Sequence, residues 1–440
     1  MRNADMLVVN IGELATPRGG PKPLRGAAMR DLTLVRGAAV AVVGERVAAA
    51  GPEREVLAAF REGRRTVVLD ARGALVTPGL VDPHTHAVFA GTREAEFAMR
   101  TEGRTYEEIA AAGGGIRSSV RALRAAGEEE LVRAGRANLD RALDHGTTTI
   151  EIKSGYGLSL EAELKTLRVV RRLAGEHAVG VVPTFLGAHE FPDEWRDDRD
   201  GYVGTVCEEM IPAVARERLA RCCDVFCEEG VFSVEQSRRV LEAGKRHGLA
   251  PKVHADELHA SGGAELAAEV RALSADHLVR VTDRGVAALA AADVVAVLLP
   301  GTSLSLGATR FAPARALIEA GVPVALATDM NPGSSMTESM QIVMALASMA
   351  LRMTPAEVLT AATVNAAAAV GLAGDVGTLE PGRLADAVVW EVDDHRAIPY
   401  HYGVNLARSV VRKGVVVRPR RGDAADGPGR RGAGPQGGSE

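Results

Sequence analysis

Between residues 76 and 328, short apolar runs alternate with longer amphipathic segments, and this alternation constrains the fold more than any other feature. The runs are Val76–Pro83, Thr147–Lys153, Gly180–Leu186, Asp224–Glu228, Pro251–His254, Ala272–Asp276, Val294–Leu299 and Pro323–Thr328. Segments between them, such as Ser159–Glu176, Val234–His247 and Pro313–Ala320, have helical patterning, and several open on a Ser, Thr or Pro cap. Eight βα units in series predict an α/β fold of the (β/α)8 barrel type. An open doubly wound sheet would need a Gly-rich phosphate turn after an early strand. No G-x-G-x-x-G occurs in that context.

The chain ends read differently. Met6–Ile11, Ala38–Ala50, Asp386–Val392 and Ser409–Val417 are strand-like, and strands from both termini are expected to pair. The expected division is a small composite β-sandwich domain from 1–75 and 380–417 beside a catalytic barrel over 76–379. Arg418–Glu440, rich in Gly, Arg, Asp and Pro, has almost nothing to bury and is expected to be disordered.

A chain of 440 residues with 46% hydrophobic and 25% charged residues can bury a full core. A net charge of −5 gives no polyanion-binding footprint, so no nucleic-acid partner is expected. No apolar run reaches membrane-spanning length and the first residues lack a signal-peptide pattern, so a cytoplasmic location is expected. Cys207, Cys222, Cys223 and Cys227 match no CxxC pair and read as buried thiols in a reduced setting.

The barrel runs end in polar groups that a core would reject. The first ends in His84 and His86, with Arg93 shortly after, and the second runs into Glu151, Lys153 and Tyr156. His189, Glu228, His254 with Glu257, His277 and Asp329 close later runs. Five of the eleven histidines therefore fall at one mouth, the C-terminal side of the strands where barrel catalysis is found. His84 and His86 are i and i+2 on a strand, so their imidazoles share a face and suit a first-row metal. With His254 and Asp329 they form a consistent set of ligands for one ion.

The stretches HTHAVFAGTREAEF (84–97), TYEEIAAAGGGI (105–116), EIKSGYGL (151–158), TFLGAHE (184–190), VFCEEGVFS (225–233), KVHADELH (252–259), LLPGTSLSLG (298–307), TDMNPGSS (328–335) and GTLEPGRLAD (377–386) resemble the amidohydrolase superfamily. Within it they resemble the imidazolonepropionase family of histidine degradation. Ala87 stands where that family commonly has a bulkier residue, and the 418–440 tail has no family counterpart.

The resemblance implies ring opening of 4-imidazolone-5-propanoate by water, giving N-formimidoyl-L-glutamate, with one divalent or trivalent ion, zinc or iron. Glu257 and Asp329 flank the expected ion and are both candidates for taking the water proton, with Glu257 favoured as proton shuttle and Asp329 chiefly as ligand, while His277 is expected to orient or protonate the substrate. Arg93 is expected to meet the propanoate, although pairing with Glu94 or Glu96 is open to it. Tyr156 and Tyr106 are further candidates for substrate contact, His189 for the ring, and the Asn331, Gly333 and Ser334 turn for the opened product. Lys153 reads equally as an ion-paired residue or a substrate contact. Glu228 stands where two-metal relatives place a bridging carboxylated lysine, so a single ion is expected. Gly113–Gly115 reads as a hinge, and a homodimer is usual for such proteins. A nucleobase or aminoimidazole deaminase would share the metal set without needing Arg93 and Tyr156, and a non-catalytic relative would have lost ligands.

Overall fold

The computed structural model describes residues 2–20, 22–104, 108 and 114–418. The chain opens with β1 (Arg2–Pro17), β2 (Leu32–Val43), β3 (Arg46–Pro52), β4 (Phe60–Asp70) and β5 (Leu75–Pro78). Eight parallel strands follow in sequence order: β6 (Leu80–Asp82), β7 (Thr147–Lys153), β8 (Gly180–Ala188), β9 (Cys222–Cys227), β10 (Ala250–Ala255), β11 (Ser274–His277), β12 (Val295–Leu298) and β13 (Val324–Leu326). β14 (Ala387–Trp390), β15 (Ala407–Arg412) and β16 (Val415–Arg418) then return to the first sheet.

The parallel strands form the barrel. Helices cover their outer face, so β7 is buried at all seven positions, as a strand enclosed on both sides must be. The intervening helices begin where side chains cap them: Ser159 Oγ accepts from Ala162 N, and Ser233 and Gln236 form a reciprocal capping box. Between β6 and β13 the barrel closes just past the strand ends. Asp329 N donates to His84 O at 3.0 Å and His86 N to Met330 O at 2.9 Å. The Asp82 carboxylate accepts from Thr328 N at 3.1 Å and Thr328 Oγ1 at 2.6 Å.

The other sheet is mostly antiparallel and organised on β1, which pairs with β2, β4 and β5. Met6, Val8, Ile11, Val40, Val42, Val76, Val389 and Val411 share one apolar cluster, so the two limbs enclose a small sandwich core. Val388 and Trp390 pack instead into the main barrel cluster, and Trp390 Nε1 donates to Thr77 Oγ1 at 2.9 Å.

Three strand expectations need correction. The run 76–83 is split between the sheets at Gly79, whose N–H donates to Asp386 O at 2.9 Å. A Cβ there would lie 2.2 Å from Thr148 Oγ1, so only glycine lets the chain change sheets at this point. Ala38–Ala50 and Ser409–Val417 are hairpins, turned through the left-handed region at Gly44 (φ +61°) and at Lys413 and Gly414 (φ +51° and +76°). β4 shows no apolar run because most of it is exposed. Cys222, Cys223 and Cys227 are buried and Cys207 half-buried, all as free thiols. Among the described residues no helix is long and apolar enough to cross a membrane.

Candidate metal centre and barrel mouth

His84 and His86 follow β6, His254 lies in β10, His277 ends β11 and Asp329 follows β13. Asp329 Oδ1 lies 3.4 Å from His84 Nε2 and 3.6 Å from His86 Nε2. The ring centroids of His84 and His254 are 4.4 Å apart, and His277 lies 5.3 Å from each. The backbone is left-handed at His277 (φ +77°) and Asp329 (φ +52°), a conformation that costs energy in non-glycine residues and recurs at functional sites.

The nitrogens of this cluster are unusual for a protein interior. His84 Nε2, His86 Nδ1, both nitrogens of His254 and His277 Nε2 are buried with no hydrogen-bond partner, whereas buried polar atoms are almost always paired. Burial, with Lys153 and His254 nearby, holds His84 well below the usual imidazole range; burial with His189 and His254 does the same for His86. Neutral rings keep a lone pair to donate. His84 Nδ1 faces Asp276 Oδ2 at 2.6 Å, which fixes the tautomer and turns Nε2 towards Asp329. His254 Nδ1 lies 3.1 Å from Asp224 Oδ2. His84 and His86 come together with Asp329, and His254 with His84 and His277, in groups whose donors fit a metal ion in type.

Beneath the histidines lies a cage of buried charge that the sequence did not reveal. Glu151, Lys153, Asp224, Lys252 and Asp276 are all fully buried. Lys153 Nζ reaches Asp224 at 2.6 Å, Glu151 at 2.9 Å and Asp276 at 3.5 Å; Lys252 Nζ reaches Glu151 at 3.1 Å and Pro83 O at 3.0 Å. Burial opposes the charge on Lys153, but Asp224, Glu151 and Asp276 outweigh it and raise its pKa. Lys153 is therefore an ion-paired residue below the site, and Asp224 and Asp276 link the cage to His254 and His84. The available signal was parity: Glu151 with Lys153, and Lys252 with His254, are i and i+2 pairs on strands, which puts them on the barrel's inner face.

Glu257 Oε2 stands 3.6 Å from His277 Nδ1, and burial, with Asp329 and Glu228 nearby, pushes its carboxyl up to about 8. Glu228 serves the loop that carries Glu257, accepting from the backbone N–H groups of Glu257, Leu258 and His259 and from Ser261 Oγ. Burial raises Asp329 to about 6, opposed by its bond from Thr302 Oγ1 at 2.7 Å.

Above the cluster, His189 stacks on His86 with centroids 5.0 Å apart and an interplanar angle of 13°. The Tyr156 ring lies 5.6 Å from His86 and 5.5 Å from His189. Asn331 spends its side chain within its own turn, accepting from Gly333 N and Ser334 N at 2.8 Å and donating to Asp329 O at 2.7 Å. That turn offers a ligand its Gly333 and Ser334 surface rather than the Asn331 amide. Arg93 pairs with Glu96, at 2.9 Å through Nε and 2.6 Å through Nη2, while its Nη1 end lies against Gly333. Tyr106 and Gly113 lie outside the described residues.

The sequence model described as "Amidohydrolase family" matches residues 75–424. An imidazolonepropionase of Symbiobacterium thermophilum is 53% identical over 418 residues, covering 95% of this chain and 98% of its own. One from Geobacillus kaustophilus is 51% identical, covering 95% and 97%. Among solved structures, a zinc-containing adenosine deaminase of Xanthomonas campestris superposes with a TM-score of 0.69 at 19% identity, covering 96% of this chain and 94% of its own. A 5-methylcytosine deaminase of Klebsiella pneumoniae gives 0.71 at 16% identity, covering 94% and 98%. The deaminases share the fold. Half of the residues, over nearly the whole length, are shared with the first group, and the chain belongs to the amidohydrolase family and, within it, to the imidazolonepropionases.

Proposed function

We propose that this chain opens the ring of 4-imidazolone-5-propanoate with water, giving N-formimidoyl-L-glutamate, at a centre where His84, His86, His254 and Asp329 hold one zinc or iron ion. One observation supports the reading: a chain that shares half its residues with imidazolonepropionases has Asp329 Oδ1 3.4 Å from His84 Nε2 and 3.6 Å from His86 Nε2 at a barrel mouth, with the His254 ring packed against both histidines. When bound, such an ion supplies Lewis acidity and lowers the pKa of a coordinated water from 15.7 towards about 7.

The chain's own residues do the rest. Glu257, 3.6 Å from His277 at the barrel mouth, takes the proton as the water oxygen bonds to the ring carbonyl carbon. The carbonyl carbon–nitrogen bond then breaks, and Glu257 returns the proton to the departing nitrogen. His277, 3.6 Å from Glu257, orients the ring with His189, while Asp329 acts chiefly as a ligand. Arg93 receives the propanoate carboxylate, with the Tyr156 hydroxyl and the Gly333 and Ser334 turn beside it. Burial, with Asp329 nearby, raises the Tyr156 phenol, so it stays protonated and able to donate. The free thiols and the net charge of −5 support a reduced cytoplasmic setting without nucleic-acid or membrane partners, and we assign a homodimer by kinship. The strand layout supports a composite β-domain from the two chain ends beside a catalytic barrel.

A substrate panel tests the reaction. Consumption of enzymatically generated 4-imidazolone-5-propanoate, with no ammonia released from cytosine or guanine, is the expected outcome. Ammonia release from either base, with the imidazolone untouched, would replace this reading by a deaminase.

A further inference from the structure

A guanidinium can receive a carboxylate along two edges, side-on through Nε and Nη2 or end-on through Nη1 and Nη2. In Arg93 the side-on edge is already taken. Glu96 Oε2 accepts from Nε at 2.9 Å and from Nη2 at 2.6 Å. The second oxygen of Glu96 is held as firmly: it accepts from Gly115 N at 3.1 Å and Ser118 Oγ at 3.2 Å. Gly115 (φ +81°) caps the helix Ile116–Ala125, whose N-terminus favours a carboxylate. The pair is well shielded, with Arg93 16% and Glu96 13% exposed at the side chain.

The other end of the guanidinium meets Gly333. A Cβ at that position would lie 2.2 Å from Arg93 Nη1 and 2.9 Å from Cζ, so the absence of a side chain there is what lets Arg93 lie across the turn. Arg100 Nη1 donates to Gly333 O at 3.0 Å and holds that peptide in place. Arg93 is thus fixed from two sides, by a carboxylate anchored on a helix terminus and by a bare backbone.

We propose that Glu96 is a positioning residue which, by occupying the side-on edge of Arg93, presents the end-on edge across Gly333 to the substrate's carboxylate and so selects substrates that carry one. The proposal rests on the assignment of Arg93 as the propanoate anchor. Glu96 never touches substrate; its effect passes entirely through Arg93. Gly333 acts on the same guanidinium from the opposite side.

Steady-state kinetics of the full chain, with 4-imidazolone-5-propanoate and its neutral propanamide analogue, separates the possibilities. Arg93→Met is the reference and removes discrimination between acid and amide. Glu96→Ala raises KM for the acid about tenfold, leaves kcat within about threefold and leaves the amide unchanged, the signature of lost uniform binding. Glu96→Gln, which can still accept a hydrogen bond, recovers part of the discrimination. Intact acid/amide discrimination in Glu96→Ala, when Arg93→Met abolishes it, overturns the proposal and leaves the Arg93 assignment standing. Equal losses for acid and amide in Glu96→Ala also overturn it, because they mark a merely structural role. Discrimination that survives Arg93→Met removes the underlying assignment instead.

Discussion

Asp276 shows how much of a metal centre lies behind its ligands. Its 2.6 Å contact decides which nitrogen of His84 carries the proton, and hence which one faces Asp329. Asp276→Asn, similar in shape but without the charge, is expected to lower metal affinity by about 10–100-fold while the fold persists. Competition with a chromophoric chelator measures this, and unchanged affinity would mean that packing alone sets the His84 tautomer. The residue scale is also where the sequence was most and least readable. His84 and His86 stood out because a period of two places them on one face. Asp276 and Lys252 did not, because charges inside a strand contradict the usual expectation of burial. Only a closed barrel, which brings Lys252 to Glu151 and Asp276 to His84 and Lys153, gives those charges partners.

At the scale of elements, side-chain chemistry decides where helices start and how they meet. Glu357 caps the helix Pro355–Ala361 in a reciprocal box with Thr354 and also receives Arg30 and Arg315, the latter at 2.6 Å. Burial works against its charge, but the bonds from Arg315, Thr354 and Arg30 prevail and hold its carboxyl at about 2, below an ordinary 4.5. A depressed folded-state pKa adds stability above the unfolded value and loses it as pH falls through the folded one. Glu357→Gln should therefore cost about 2 kcal/mol at neutral pH, with the difference from the parent shrinking between about pH 4.5 and 2. Denaturant titrations across that window check it, and a difference independent of pH would contradict the charge-based account. Elements bounded by such caps, and β7 with its β-branched Thr147–Ile150 run, were legible in sequence. The split at Gly79 was signalled only by Pro78-Gly79, a turn dipeptide between the apolar pairs Leu75-Val76 and Leu80-Val81, and Thr148 behind it shows why the chain must turn there.

For the whole molecule, the site and the barrel's closure are one construction. The backbones of His84 and Asp329 pair with each other to join the first and last barrel strands, so the two groups proposed to hold the ion also complete the cylinder. The sheet from the chain ends braces the opposite end of the barrel, where β5 runs directly into β6 and Trp390 lies against Thr77 and Gly146. The barrel itself was legible because eight βα units leave few alternatives. Register was not, since it is set by which residues of neighbouring strands pair, and closure was not, since it depends on contacts such as Asp82–Thr328, 246 positions apart. The account stands or falls on the ion. Its most direct test is the decay of 4-imidazolone-5-propanoate absorbance, followed on the same samples in which zinc and iron are counted during stepwise chelation and reconstitution. Turnover should track metal up to one ion per chain, vanish with the ion and return with it, and be absent in His254→Ala. Full turnover by metal-free chain, or by His254→Ala, would contradict it.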